Sequence, residues 1–333
     1  MPSKSFMIEE VLPGLFRIEV PLPRNPLKSI NSYVVRGEDR HLIIDTGMNI
    51  KECLTTIVEA LKILKIDLSK TDFFITHLHA DHIGLVGKLA SENSKIYLSD
   101  VEIPIVKSVL ENSEDYWSSI LKFFEMNGFP KSEAEKALRE HPAKKYYASD
   151  RVELTPISDG DTIEIGNYTF IALLTPGHSP GHMCLYEQDK KILFSGDHIL
   201  FDITPNITWW KEMENPLKTY LESLERVYSL EVNLVLPGHR SIWKDHRKRI
   251  DELKIHHRNR LNEIIQALKD GEKTAWDIAS QISWDIDFKT WDDFPITQKW
   301  FAVGETIAHL IYLERFGKVK KVEKNGKILY SIN

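Results

Sequence analysis

Apolar and polar positions along this chain follow two rhythms, one of period two and one of helical spacing. Residues 8–45 read as short strands separated by turns, over 15–20, over 32–36, and over 41–44 ending in Asp45. Ile57, Leu61 and Leu64 then recur at helical spacing within 50–65. The run Phe73-Phe74-Ile75 reads as a buried strand, followed by a helix over 85–90 and a strand over 96–98. Such alternation predicts an α/β fold of sheets covered by helices. Residues 103–141 break the rhythm. Ile105, Val109, Tyr116, Ile120, Phe123 and Phe124 form the apolar face of a mostly helical insert, read as a lid over a functional site. Strands return at 161–165 and 168–174, and Asp189-Lys190-Lys191 turns a hairpin into the strand 192–194. Leu217, Leu221, Leu224 and Val227 mark one face of a helix over 216–228.

The pattern changes after Ile242. One long amphipathic helix is predicted over 247–269, a short one over 275–282 capped by Thr274, and a third over 297–316 stopped by Gly317. Two strands, 319–322 and 327–332, are joined through Lys324-Asn325-Gly326, and Asn-Gly is a strong hairpin signal. Three helices and a hairpin predict a winged-helix-like module. We therefore divide the chain into 1–245 and 246–333.

Bulk properties add limits. The 333 residues, 42% hydrophobic and 28% charged, describe an ordinary globular chain with room for two domains. The net charge of −6 argues against general nucleic-acid binding. Arg315, Lys318, Lys320, Lys321, Lys324 and Lys327 nevertheless cluster in the tail, opposed by Glu323. The two cysteines, Cys53 in a predicted helix and Cys184 in a predicted strand, read as buried small hydrophobes rather than a disulfide. Met1-Pro2-Ser3-Lys4-Ser5 runs into acidic Glu9-Glu10, which is not a basic-then-apolar leader, and no apolar run reaches the length of a membrane helix. The expected location is cytoplasmic, with no membrane partner.

The densest chemistry lies in Thr76-His77-Leu78-His79-Ala80-Asp81-His82-Ile83-Gly84, just after the strand at 73–75. His77 and His79, two apart, project to one side of an extended strand end; Asp81 and His82 fall in the loop or first turn of the next helix. Imidazole and carboxylate are first-choice ligands for zinc, and iron or manganese also fit. Three other segments have the same form, a strand, small turn residues, then a ligand: His178 in Thr175-Pro176-Gly177-His178, Asp197 after Ser195-Gly196, and His239 after Pro237-Gly238. His182, four residues after His178, reads as a residue behind the ligands. His198 is open to either a pocket-facing or a buried reading.

These motifs resemble the metallo-β-lactamase superfamily, its glyoxalase II-like branch above all, over roughly residues 8–245. The resemblance implies an αββα metallo-β-lactamase sandwich, with the helical insert and the C-terminal winged-helix-like module added to it. It implies two divalent ions: one held by His77, His79 and His178, the second by Asp81, His82 and His239, with Asp197 shared between them and Asp45 orienting a ligand histidine from behind. It also implies a hydroxide between the ions as nucleophile, with Asp81 moving the proton to the leaving group. The motifs are specific for the fold and weakly specific for substrate. Trp209-Trp210, Tyr116, Trp117, Phe123, Phe124, Trp291, Phe294 and Trp300 offer an apolar cleft. We therefore expect a hydrolase of an ester-like bond, a thioester first, acting on an acyl or otherwise hydrophobic small molecule. A nuclease gripping RNA or DNA with the C-terminal module is the alternative, and a non-enzymatic winged-helix regulator the third reading. The C-terminal module is expected to serve the site or a homodimer contact.

Overall fold

The computed structural model of the protein describes residues 6–111, 113–147, 153–285 and 288–333. The first five residues, on which the leader reading rests, lie outside that set. The early alternating segments and the buried runs after them build a seven-stranded sheet: β1 (Ile8–Leu12), β2 (Leu15–Pro21), β3 (Ser29–Arg36), β4 (His41–Ile44), β5 (Thr71–Phe74), β6 (Ile96–Ser99) and β7 (Thr155–Ile157). Strands β1 to β4 pair antiparallel, and β4 to β7 pair parallel. Parallel pairing needs crossovers. They are supplied by α1 (Lys51–Ile63), by α2 (Ala80–Ile83) with α3 (Val86–Leu89), and by the insert α4 (Ile103–Glu111), α5 (Ser113–Met126), α6 (Lys131–Glu140) and α7 (Pro142–Lys145). The hydrophobic pattern does not single out β1 or β7. Pro156 removes a donor from β7, which is tolerated because β7 is an edge strand.

A second sheet, in the order β12-β11-β10-β9-β8, is made from β8 (Thr162–Ile165), β9 (Tyr168–Leu174), β10 (Met183–Glu187), β11 (Ile192–Gly196) and β12 (Leu234–Pro237). Only β11 and β12 are parallel, and α8 (Pro216–Tyr228) crosses between them. The two sheets face each other across Tyr33, Ile44, Phe74, Phe170, Leu185, Phe194 and Leu236. Outside the first sheet, Val34, Ile43 and Phe73 pack on Ile57 and Leu61 of α1. Outside the second, Leu193 and Tyr186 pack on Leu217 and Leu224 of α8. Phe73 and Phe74, adjacent and both fully buried, enter opposite cores, as strand alternation requires. Burying each contributes roughly 1.5–3 kcal/mol. The layers are helix, sheet, sheet, helix.

The remaining chain forms α9 (His246–Ala267), α10 (Ala275–Ala279), α11 (Ile296–Arg315), β13 (Val319–Lys324) and β14 (Lys327–Ile332). Thr274 caps α10 in a capping box with Asp277, three residues on. α10 stops at Ala279, short of the expected 282. Asn325 and Gly326 have φ of 51° and 72°, the mirror-image turn that suits a tight hairpin. The core of the first sheet runs on without interruption through Phe124 and Phe129 of the insert to Ile264, Trp300, Val303 and Leu310. The rings of Phe124 and Trp300 stack 4.0 Å apart at 8°. The insert and the C-terminal helices are thus packed against each other. Among the described residues no helix is long and apolar enough to cross a membrane.

Candidate metal centre

Four strands deliver the ligand-type residues to one edge of the sandwich. β5 ends at Phe74, two residues before Thr76, and β11 ends at Gly196, just before Asp197. β9 runs in the same direction as β11, through antiparallel pairing of both with β10, so its end carries His178 to the same edge as Asp197. β12, parallel to β11, leads into Gly238-His239. A bond from Met183 N–H to Thr76 C=O (2.8 Å) and one from Asn31 N–H to Gly238 C=O (2.7 Å) tie the two sheets together at this edge. Gly238 is needed as glycine. A Cβ there would sit 2.6 Å from Asp197 Oδ1 and 2.9 Å from His82 Cε1. Gly196 has φ of +48°, and a Cβ on it would strike His182 Nε2 at 2.6 Å.

The side chains converge in three overlapping groups whose ligand atoms lie within 4.8 Å of one another: His77 with His79 and His178, His77 with His82 and Asp197, and Asp81 with His82 and His239. Nδ1 of His79 lies 2.9 Å from Nε2 of His77 and 3.0 Å from Nε2 of His178. Asp197 stands between the groups. Its Oδ1 is 3.6 Å from His82 Nε2, and its Oδ2 is 3.6 Å from His178 Nε2 and 3.5 Å from His239 Nε2. Asp81 Oδ2 is 3.5 Å from the same nitrogen of His239.

These atoms fit a cation better than they fit one another. Among the described residues, His82 Nε2, His239 Nε2 and Asp197 Oδ1 are buried without a hydrogen-bond partner. Gaps of 3.5–3.6 Å exceed a good hydrogen bond. Two ligands about 2.0–2.1 Å from one tetrahedral ion stand roughly 3.3 Å apart.

The opposite ring edges of His77, His82, His178 and His239 are engaged, which fixes the tautomers of these four rings. Nδ1 of His178 donates to the Asn206 carbonyl (2.8 Å), and Nδ1 of His239 to the Ser29 carbonyl (2.7 Å). Nδ1 of His82 donates to Asp45 Oδ2 (2.7 Å). The Thr76 hydroxyl donates to Asp45 (2.9 Å) and accepts from His77 Nδ1 (3.0 Å). Each arrangement leaves the metal-facing nitrogen of the neutral ring with its lone pair. Asp45 adopts φ of +58°, a conformation that asparagine and aspartate tolerate.

Electrostatics divides the cluster. Burial, with the neighbouring rings, pushes His77 well below the usual histidine range and His79 down to about 3. Burial also lowers His178. Burial works against a charge on His82 as well, but Asp45 and Asp197 outweigh it and hold His82 well above its ordinary value. His239 is raised in the same way by Asp197 and Asp81. Burial opposes ionisation of Asp81 and Asp197, yet His239 and His82 reverse it: Asp81 falls to about 2 and Asp197 lies well below the carboxylate range.

All seven expected ligand residues therefore meet at one place, with Asp45 behind His82. His182 stands behind the cluster too. Its Nε2 accepts the Asp197 N–H (3.1 Å) and its Nδ1 meets the Thr175 hydroxyl (2.9 Å), leaving no free lone pair. His198 is buried away from the cleft, its ring against Tyr220 at 5.3 Å.

A cleft of about 830 Å3 opens over the cluster. Tyr116, Trp117, Phe124, Trp209, Trp210, Phe294 and Trp300 line it, and Trp210 stacks on His79 at 5.8 Å and 25°. The insert is thus a wall of this cleft. Phe123 and Trp291 are not in the wall: Phe123 stacks on Trp209 at 4.0 Å, and Trp291 on Phe294 at 5.2 Å.

The sequence reading missed two carboxylates and a histidine. Glu102, fully buried, accepts from the Ser179 hydroxyl and from Gly181 N–H (3.1 Å), holding the loop that bears His178. Burial raises its carboxyl to about 7. Glu305 of α11 accepts from the Asn206 side chain at 2.8 Å. His141 lines the cleft between Trp117 and Trp300. None carries a local motif, so only the spatial juxtaposition identifies them.

Known families match both parts of the chain. Residues 25–239 match the model of the metallo-beta-lactamase superfamily, and residues 261–331 match the model described as metallo-beta-lactamase-like, C-terminal domain. A protein named beta-lactamase-like protein 2 homolog from Caenorhabditis elegans is 27% identical over 85% of this chain and 81% of its own length. A protein named atrochrysone carboxyl ACP thioesterase from Aspergillus fumigatus is 27% identical over 74% of this chain, which spans 46% of that protein. The crystal structure of a metallo-beta-lactamase family protein from Thermus thermophilus superposes with a TM-score of 0.84 at 28% identity, over 97% of this chain and all of that one.

Proposed function

Because this chain belongs to the metallo-β-lactamase superfamily, we propose that it is a dinuclear metal-dependent hydrolase acting on a thioester with a bulky apolar acyl group. The observation that carries the proposal is the position of Asp197, whose two oxygens face His82 on one side and His178 and His239 on the other. His77, His79 and His178 would hold one ion and Asp81, His82 and His239 the other, with Asp197 touching both. Seven candidate ligands exceed what one tetrahedral zinc uses, which supports two ions. Nitrogen and oxygen donors without thiolate suit zinc, and iron or manganese would also be accepted. When bound, the ions would lower the pKa of a coordinated water to about 7 and polarise the substrate carbonyl.

The chain's own residues do the rest. Trp210, face to face with His79, and the walls Trp117 and Trp300 exclude water and seat the acyl group. Water adds to the carbonyl carbon, the C–S bond breaks, and Asp81, ionised and facing the cleft, passes the water's proton to the departing thiolate sulfur. His182 and Asp45 hold Asp197 and His82 in register throughout. The thioester reading is supported by the relative named as a thioesterase and by the aromatic cleft.

The test is a panel of aliphatic and aryl acyl thioesters, their oxygen esters, lactones and a structured RNA, assayed on metal-replete and chelator-treated protein. The expected result is the highest kcat/KM on apolar acyl thioesters, lost on chelation and restored by zinc. Cleavage of RNA with all thioesters inert would contradict it.

A further inference from the structure

The loop between β11 and α8 is caught between the metal centre and the C-terminal helix α11. Four contacts define the catch. The Asn206 carbonyl accepts from Nδ1 of His178 (2.8 Å), and the Asn206 side-chain amide donates to Glu305 Oε2 (2.8 Å). Trp210 Nε1 donates to the His178 carbonyl (3.1 Å), and Trp209 N–H to the Gly304 carbonyl (3.0 Å). Gly304 permits the approach, since a Cβ there would lie 2.1 Å from Thr208 Oγ1. Glu305 is buried and braced by Arg260 of α9, whose Nε lies 3.3 Å from Oε1.

We propose that Glu305 is a positioning residue of the metal centre, acting through Asn206 to orient the ligand His178. The reason is geometric. A metal-bound imidazole needs its far N–H held by a fixed acceptor, and loss of that support commonly costs about 10–100-fold in metal affinity. For His178 the acceptor is a loop carbonyl, which has no helix or strand to hold it. The Asn206 side chain anchors that residue directly on α11, while the Trp209–Gly304 bond holds the loop three residues further on. Asn206 lies in the stretch 25–239 and Glu305 in 261–331, so the second matched region completes a site whose ligands all lie in the first. The fold thereby gives the C-terminal segment a role in the chemistry without a ligand of its own.

The inference rests on the metal reading above and is independent of the substrate. The experiment compares wild type with Glu305→Ala, Glu305→Gln, Asn206→Ala and the double alanine variant. Zinc affinity is measured by competition with a chelator, and the cobalt-substituted absorption spectrum is recorded. Thermal unfolding of each metal-free protein separates a loss of fold from a loss of ligand geometry.

Glu305→Ala should weaken zinc binding about tenfold or more and alter the cobalt bands. Glu305→Gln, which keeps an acceptor for Asn206, should stay within about threefold of wild type with the native spectrum. Asn206→Ala should reproduce the effect, and the double variant should add little, because both changes break one connection. If Glu305→Ala fails to fold, Asn206→Ala carries the test alone. Unchanged affinity and spectrum in Asn206→Ala, or additive losses in the double variant, would overturn the proposal. A wild type that binds no metal would instead sink the reading beneath it.

Discussion

Asp45 and His82 form a buried carboxylate–imidazole pair, Oδ2 to Nδ1 at 2.7 Å, on the far side of the ring from the other ligands. Asp45 also accepts from Thr76 N–H (2.9 Å) and from the Thr76 hydroxyl, which in turn supports His77. One carboxylate thus orients the rings of two candidate ligands, His82 directly and His77 through Thr76. Asp45→Asn removes the charge that makes His82 a better donor. It should lower zinc affinity about 10–100-fold in chelator competition. An affinity equal to wild type would show that the pair only packs.

Asp197 and His182 should respond differently to truncation. Asp197→Ala removes the group proposed to touch both ions and should abolish hydrolysis. His182→Ala removes only the acceptor for the Asp197 N–H and should cost about 10–100-fold in kcat. Equal and total loss in both variants, at equal metal content, would place His182 among the ligands.

How much of this was legible beforehand depends on the kind of signal. The convergence of the candidate ligands was readable because each segment that bears them follows an apolar strand, a pattern that survives in one dimension. The Thr274 cap and the Asn325-Gly326 turn were readable for the same reason, being local chemistry. The carbonyls of Ser29 and Asn206 were not, because a backbone acceptor has no residue-type signature. Glu102 and Glu305 each reach the site from a sequence-distant element, so their roles appear only when the elements pack. The same is true of Phe123 and Trp291, whose aromatic character suited a cleft wall but whose rings turn to pack on neighbours.

Acid should destabilise the metal-free chain through its buried neutral histidines. Burial, with Arg260 nearby, lowers His309 to about 3, against about 6.5 in an unfolded chain. A histidine depressed on folding contributes stability that is present above the unfolded value and is lost as pH falls toward the folded one. The window is therefore about pH 6.5 down to 3. Urea unfolding of chelator-treated protein at pH 7.5 and 5.5 should show lower stability at the lower pH. His309→Gln should flatten the slope by up to about 1.4 kcal/mol per pH unit. A slope unchanged in the variant would contradict this assignment.

The C-terminal module should not hold nucleic acid. A groove-reading third helix must be exposed and basic. Most of α11 is instead buried, including Ala302 through Leu310. The tail lysines are partly neutralised: Lys321 pairs with Glu314 at 3.4 Å and Lys324 with Glu272 at 2.6 Å. Titration with duplex DNA and structured RNA at near-physiological salt should show nothing tighter than about micromolar. Tighter binding that disappears when Lys318, Lys320 and Lys321 are neutralised would revive the nuclease alternative.

The central claim is a two-ion centre bridged by Asp197, and metal stoichiometry tests it most directly. Elemental analysis of protein loaded with excess zinc and then freed of unbound metal should give about two ions per chain. The Asp197→Ala variant should fall well below that. One ion or none in the loaded wild type, with the chain folded, would contradict the account.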